Sequence, residues 1–224
     1  MFFDPNYLIL VGPAIVLSIW ASIKTKSAFN KYSKVRVMSG QTGAQAAKSL
    51  LQGAGIGDVE IKPIRGNLSD HYNPLTKTLA LSEAVYGSPS IAAVGVACHE
   101  AGHAIQHAQA YKPLWLRSVL VKPTQFASRF AIWGVMLGLI LQMNGLFQVG
   151  VILFSVTLVF QLVTLPVEFD ASNRAKKLAL AQGIVVEQER TGMDKVLNAA
   201  ALTYVAAAAM SLMQLIYFLG LRRD

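Results

Sequence analysis

Three stretches of this chain carry no Asp, Glu, Lys, Arg or His: residues 5–23, 130–167 and 196–221. A helix needs about 20 apolar residues to cross the hydrocarbon of a bilayer. The first and third stretches each suit one crossing. The middle one suits two crossings joined by a tight turn. Met143-Asn144-Gly145 is the natural break, because Asn-Gly favours a turn. The first half of that hairpin is short, so its helix is expected to start upstream, near Pro123, with Lys122 and Arg129 reaching the interface. Four spans follow. Composition agrees: 54% of the residues are hydrophobic and 14% charged, against about 25% charged in a typical soluble domain.

The basic residues orient the spans. The amino end lacks the basic region of a cleaved signal, and Lys24 and Lys26 follow the apolar run, so residues 1–23 read as a retained anchor. Lys24, Lys26, Lys31, Lys34 and Arg36 follow the first span. Lys112, Arg117, Lys122 and Arg129 lead into the second. Arg174, Lys176, Lys177, Arg190 and Lys195 lie between the third and fourth. With four spans all of these share one side, expected to be the cytoplasm, and both termini lie outside. Arg222 and Arg223 are the exception. The net charge of +8 is therefore a charge of loops. No Lys/Arg run interleaved with aromatics and no recognisable nucleic-acid motif occurs, which argues against a nucleic-acid partner. Cys98 is the sole cysteine, which excludes an intramolecular disulfide, and reads as a small buried apolar residue.

Residues 24–129 form the main region outside the membrane. Residues 40–53 predict a short helix capped by Thr42, with Ala44, Ala47, Leu50 and Leu51 on one face. Residues 58–64 alternate as a strand does. Residues 70–74 and 77–81 flank a turn at Asn73-Pro74. If the strand over 77–81 is an open edge, it can accept an extended peptide by strand addition. Ser88-Pro89 is expected to start a helix running to about Ala110.

That helix carries His99-Glu100-Ala101-Gly102-His103. Histidines at i and i+4 lie on one helical face, one turn apart, so their ring nitrogens can converge on one ion. Zinc accepts imidazole nitrogen in tetrahedral geometry. Glu100, beside the first histidine, is placed to act as general base on a water at the open position. The preceding residues 91–98 are apolar, so these polar side chains carry a desolvation cost that a metal would explain.

A catalytic zinc usually takes three protein ligands. His107 is nearest in sequence, but on a straight helix it sits a turn too far along the axis. Glu168, at the end of an apolar run in Leu165-Pro166-Val167-Glu168-Phe169-Asp170-Ala171-Ser172, is the stronger candidate, because four spans return it to the side of the histidine pair. Asp170 is an alternative, although 168 and 170 point to different helix faces. For the oxyanion donor His71, Tyr72, Arg174 and Tyr204 remain open.

With these residues the chain resembles the family of neutral zinc metallopeptidases typified by a small bacterial membrane protein. The resemblance rests on the first anchor, on Leu68-Ser69-Asp70-His71-Tyr72-Asn73-Pro74, on His-Glu-Ala-Gly-His-Ala-Ile-Gln-His from 99 to 107, and on residues 165–172. More distantly it is similar to gluzincin membrane proteases of the heat-shock and CAAX-processing type. The resemblance implies zinc as cofactor, His99, His103 and Glu168 as ligands, Glu100 as base and a bacterial plasma-membrane location. Gluzincins often place an Asp four residues after the ligand Glu; here Ser172 stands there, leaving Asp170 or Ser172 to orient a ligand. Site-2 proteases need a Leu-Asp-Gly segment, which is absent. The ATP-dependent proteases that share His-Glu-Ala-Gly-His need a phosphate-binding Gly-x-x-x-x-Gly-Lys-Ser/Thr loop, also absent.

The expectation is a mostly α membrane protein with about four transmembrane helices and a small α+β, zincin-like region. Its parts are an anchor (1–23), a cytoplasmic-facing zincin-like region with the active-site helix (24–129), a transmembrane hairpin (130–167), a third-ligand helix (168–195) and a last transmembrane helix (196–221). It would hydrolyse peptide bonds without ATP, on membrane or unfolded proteins. The alternative is a non-enzymatic membrane scaffold or partner-binding protein on the same fold. A transporter is disfavoured, because charges along an intramembrane path are lacking.

Overall fold

The computed structural model describes residues 4–66 and 69–221; Leu68, Arg222 and Arg223 lie outside the described residues. In chain order the elements are α1 (Pro5–Tyr32), α2 (Gly43–Gly53), β1 (Glu60–Ile64), β2 (His71–Asn73), β3 (Thr78–Ser82), α3 (Glu83–Tyr86), α4 (Ile91–Ala108), α5 (Lys112–Ile140), α6 (Asn144–Ala181) and α7 (Glu187–Gly220). The protein is mostly helical, and α1, α6 and α7 are long and apolar enough to cross a membrane. α5 falls short of that set because Thr124, Gln125 and Arg129 dilute its apolar run. Residues 168–195 comprise the last part of α6, a turn and the first turns of α7.

Two compact units divide the chain. The first comprises residues 1–22, 115–166 and 203–224. Its core is small: Tyr7, Val11, Val135, Phe147, Val151, Tyr217 and Phe218. Large apolar side chains point outward instead, among them Ile9, Trp20, Phe126, Trp133, Ile140 and Ile152. A helix apolar all round that buries only 17% of its apolar window, as α1 and α6 do, matches a lipid environment. Two polar pairs lie within this unit: the Tyr217 hydroxyl donates to Asp4 at 2.8 Å, and that of Tyr7 to Gln214 at 3.1 Å.

α5 and α6 form an antiparallel hairpin. The chain reverses at residues 141–143, where Gln142 takes a left-handed conformation (φ 53°) and the Met143 amide donates to the Gly138 carbonyl at 2.8 Å. The turn thus directly precedes Asn144-Gly145. α5 itself starts at Lys112, well before Pro123, the expected start. Pro123 lies inside the helix, at the loss of one ladder hydrogen bond, while Pro113 occupies the tolerated first turn. Beyond the turn the two backbones nearly touch. A Cβ at Gly150 would lie 2.4 Å from the Val135 amide nitrogen, and one at Gly134 would lie 2.9 Å from the Gly150 Cα. Small residues let apolar helices approach where lipid supplies no hydrophobic drive.

The second unit, residues 23–114 and 167–202, is built around α4. Ala93, Val94, Ala97, Cys98, Ala101, Ala104 and Ile105 of α4 are buried with Ala46, Ala47, Leu50 and Leu51 of α2 and Leu79 and Leu81 of β3. α2 starts one residue after Thr42, whose side chain forms a capping box with Gln45. α4 is capped by Ser90, which accepts from the Ala93 amide at 3.2 Å, and not by Ser88. Pro89 lies outside the helix, where its carbonyl is engaged by the Val37 amide.

The sheet order is β1-β3-β2, with β1 parallel and β2 antiparallel to β3. The strand expected over 77–81 is therefore central, with both edges paired, and among the described residues β1 and β2 are the outer strands. Pairing buries four of the five β3 residues, which its Leu-Ala-Leu run favours. For the hairpin, Gly150→Val should destabilise the protein by about 1–3 kcal/mol through forced separation of α5 and α6, seen as a lower unfolding midpoint in detergent.

Candidate metal centre

The α4 face left free by this core carries His99 and His103, whose ring centroids are 4.8 Å apart. Opposite stands Glu168, inside α6 and only 1% exposed. α6 runs on through Pro166 to Ala181, so the third span and the first part of the third-ligand helix are one continuous helix. One Glu168 oxygen, Oε2, lies 3.2 Å from His99 Nε2 and 3.6 Å from His103 Nε2. One ligand atom from each residue lies within 4.8 Å of the others, a group that could hold a metal ion. With bonds of 2.0–2.1 Å, neighbouring ligands of a tetrahedral zinc are about 3.3 Å apart. Two neutral imidazoles and a carboxylate are a donor set that zinc accepts.

Gly102, between the histidines, explains how α6 comes this close. A Cβ there would lie 2.6 Å from the Ala171 carbonyl oxygen. Any side chain at 102 would push α6 away and carry Glu168 with it.

Each histidine is held through its other nitrogen. His99 Nδ1 is 3.0 Å from Ser172 Oγ, and His103 Nδ1 is 3.0 Å from Gln106 Oε1. Gln106 is fully buried and donates to the Val167 carbonyl and to Asp170, both at 2.8 Å. Asp170 also pairs with Arg174. Ser172 and Asp170 thus contact different histidines, one directly and one through Gln106. Sequence reasoning missed Gln106. The signal was its place three residues after His103, on the same helical face.

Glu100 is partly buried beside His99. Burial raises its carboxyl above the usual value; the two histidines oppose that, and Glu168 and Asp70 reinforce it. Asp70 itself caps β3, accepting from the Ser82 amide at 2.7 Å. Cys98 is buried, and burial pushes its thiol up to about 12, unsuited to a nucleophile.

The remaining candidates lie elsewhere. His107 is exposed, and its Nδ1 is 2.9 Å from the Tyr72 hydroxyl. Asp170 is turned toward Gln106 and Arg174, since two residues rotate a side chain by about 200° around a helix. His71 is exposed and donates to the Ser69 carbonyl at 2.9 Å. Arg174 is engaged by Asp170 and Gln109. Tyr204 belongs to the other unit.

Residues 7–223 match the family described as "Putative neutral zinc metallopeptidase". The chain belongs to that family. It is also 47% identical over 212 residues to the "Putative membrane protease YugP" of Bacillus subtilis (strain 168), a match covering 95% of this chain and 94% of that protein. No solved structure matches the chain significantly. The family and the geometry agree on a zinc-binding membrane protein. Gly102→Val should lower the zinc content of the purified protein below the wild type's and destabilise it by about 1–3 kcal/mol, measured by metal analysis and thermal unfolding.

Proposed function

We propose that the protein is a membrane-embedded, ATP-independent zinc endopeptidase of gluzincin type. The observation that carries this reading is the convergence of His99, His103 and Glu168 around one point, with Glu100 beside it. His99 and His103 would hold the zinc through Nε2, and Glu168 through its carboxylate. When bound, zinc supplies acidification of a water and polarisation of the scissile carbonyl. Glu100 takes the proton of the attacking water and delivers it to the departing amine nitrogen. Burial, which raises its carboxyl, favours the protonated form that makes the second transfer.

Four membrane crossings suit the fold best, with the zincin-like unit on the cytoplasmic side of a bacterial plasma membrane. The second unit contains the chain on both sides of the α5–α6 hairpin, up to residue 114 and again from 167. If this unit lies on one side of the bilayer, the chain between must cross an even number of times. α6 provides one crossing, so α5 provides the other. Exposed Phe126, Phe130, Ile132, Trp133, Leu137 and Ile140 on α5 fit lipid contact.

Substrates would be unfolded or flexible segments of proteins. Among the described residues β2 is an outer strand, and Tyr72 ties it to α4 through His107. An extended peptide adding to β2 would run beside the metal helix.

Two experiments test these points. Glu100→Gln should keep about one zinc per chain and lose peptide cleavage by at least about 100-fold; undiminished biological activity in that variant would favour a non-enzymatic scaffold instead. Alongside it, Glu168→Ala should lose or weaken zinc and His107→Ala should keep it. For topology, Met143→Cys should react with an impermeant maleimide added outside intact cells, against a background kept low by buried Cys98. Lys34→Cys should react only after lysis. Labelling of the Met143→Cys variant from the cytoplasmic side alone would refute four spans.

A further inference from the structure

We infer that Gln106 is a positioning residue that selects the nitrogen His103 presents to the metal. This rests on the metal-site reading above, but it concerns a residue and a hydrogen-bond relay that the reading does not require.

A glutamine side chain has two N–H donors, both on Nε2, and one acceptor oxygen. Both Gln106 donors are taken, by the Val167 carbonyl and by the Asp170 carboxylate, each 2.8 Å away. A carbonyl oxygen only accepts, and the carboxylate paired with Arg174 only accepts as well. Swapping the amide oxygen and nitrogen would set acceptor against acceptor at both contacts. The partners therefore fix the amide orientation. Oε1 is then the atom facing His103 Nδ1 at 3.0 Å, and Nδ1 must carry the proton.

A neutral imidazole protonated at Nδ1 has its lone pair at Nε2, the nitrogen directed at Glu168. Nε2 is thus prepared as a metal donor before any ion arrives. A buried ring facing a carboxylate would otherwise favour the opposite tautomer, with Nε2–H donating to Glu168. The relay Arg174–Asp170–Gln106 on α6 and α4 opposes this. The two histidines are not equivalent in this respect. Ser172 can donate or accept at His99 Nδ1, so the hydroxyl leaves the His99 tautomer open while Gln106 closes that of His103.

The test compares two full-length proteins in detergent. Gln106→Leu removes the acceptor and both donors at similar volume. Chelator-competition titration should show zinc affinity reduced by about 10–100-fold in Gln106→Leu. Wild-type affinity in Gln106→Leu would overturn the inference. Long-range proton–nitrogen spectra of histidine-labelled, metal-free wild type at alkaline pH supply a readout that needs neither zinc nor the variant. They should place the His103 proton on Nδ1; a proton on Nε2 would overturn the inference even if Gln106→Leu failed to fold. A wild type that takes up no zinc but keeps the Nδ1 proton would refute the metallopeptidase reading and leave the Gln106 relay standing.

Discussion

A carboxylate buried at Glu168 is the constraint around which the second unit is organised. Removing such a charge from water costs several kcal/mol unless cations or good donors surround it. Here the compensation must come from α4, the helix against which Glu168 is buried, and so α4 and α6 must approach almost to backbone contact. Gly102 permits that approach. The same approach brings Val167, Asp170 and Ser172 within reach of the polar side chains of α4, and each makes one hydrogen bond there. One close crossing thus positions the ligands and the groups that orient them.

The first unit follows a different rule. Its core is small and its outer surface apolar, so its helices are held by close backbone contact and by a few internally paired polar groups. Gly134 and Gly150 do for α5 and α6 what Gly102 does for α4 and α6. In both places a missing Cβ, and not an added side chain, creates the contact. The apolar surface of this unit agrees with the membrane association stated for the Bacillus relative.

Much of the local structure was legible in the sequence. The Thr42 cap and the helix bearing His99 and His103 follow from chemistry acting within a few residues, whereas the hairpin turn falls at 141–143 and the Asn144-Gly145 expected to form it opens α6 instead. The boundaries that misled did so where distant contacts decided them. Ser88 was the expected cap, but Ser90 caps α4, and the Pro89 carbonyl outside the helix accepts from the Val37 amide. Pro123 looked like a helix start, but one lost hydrogen bond does not stop a helix already running from Lys112. The strand over 77–81 looked available as an edge, because nothing local reveals that β1 pairs with it in parallel across an intervening strand.

The sequence by itself determined the apolar helices, the basic loops, and a histidine pair with Glu100 on one helix. All of these follow from spacing along one element, where geometry is fixed by the helix period. Glu168 could be nominated, since a carboxylate ending an apolar run needs a partner. Only the tertiary structure decided that Glu168 and not Asp170 faces the histidines, that His107 turns to Tyr72, and that Gln106 and Ser172 hold the rings. Those outcomes depend on the rotation and separation of α6 relative to α4. That arrangement is set by packing at Gly102 and Ala171 together, a pair 69 residues apart that no local pattern connects.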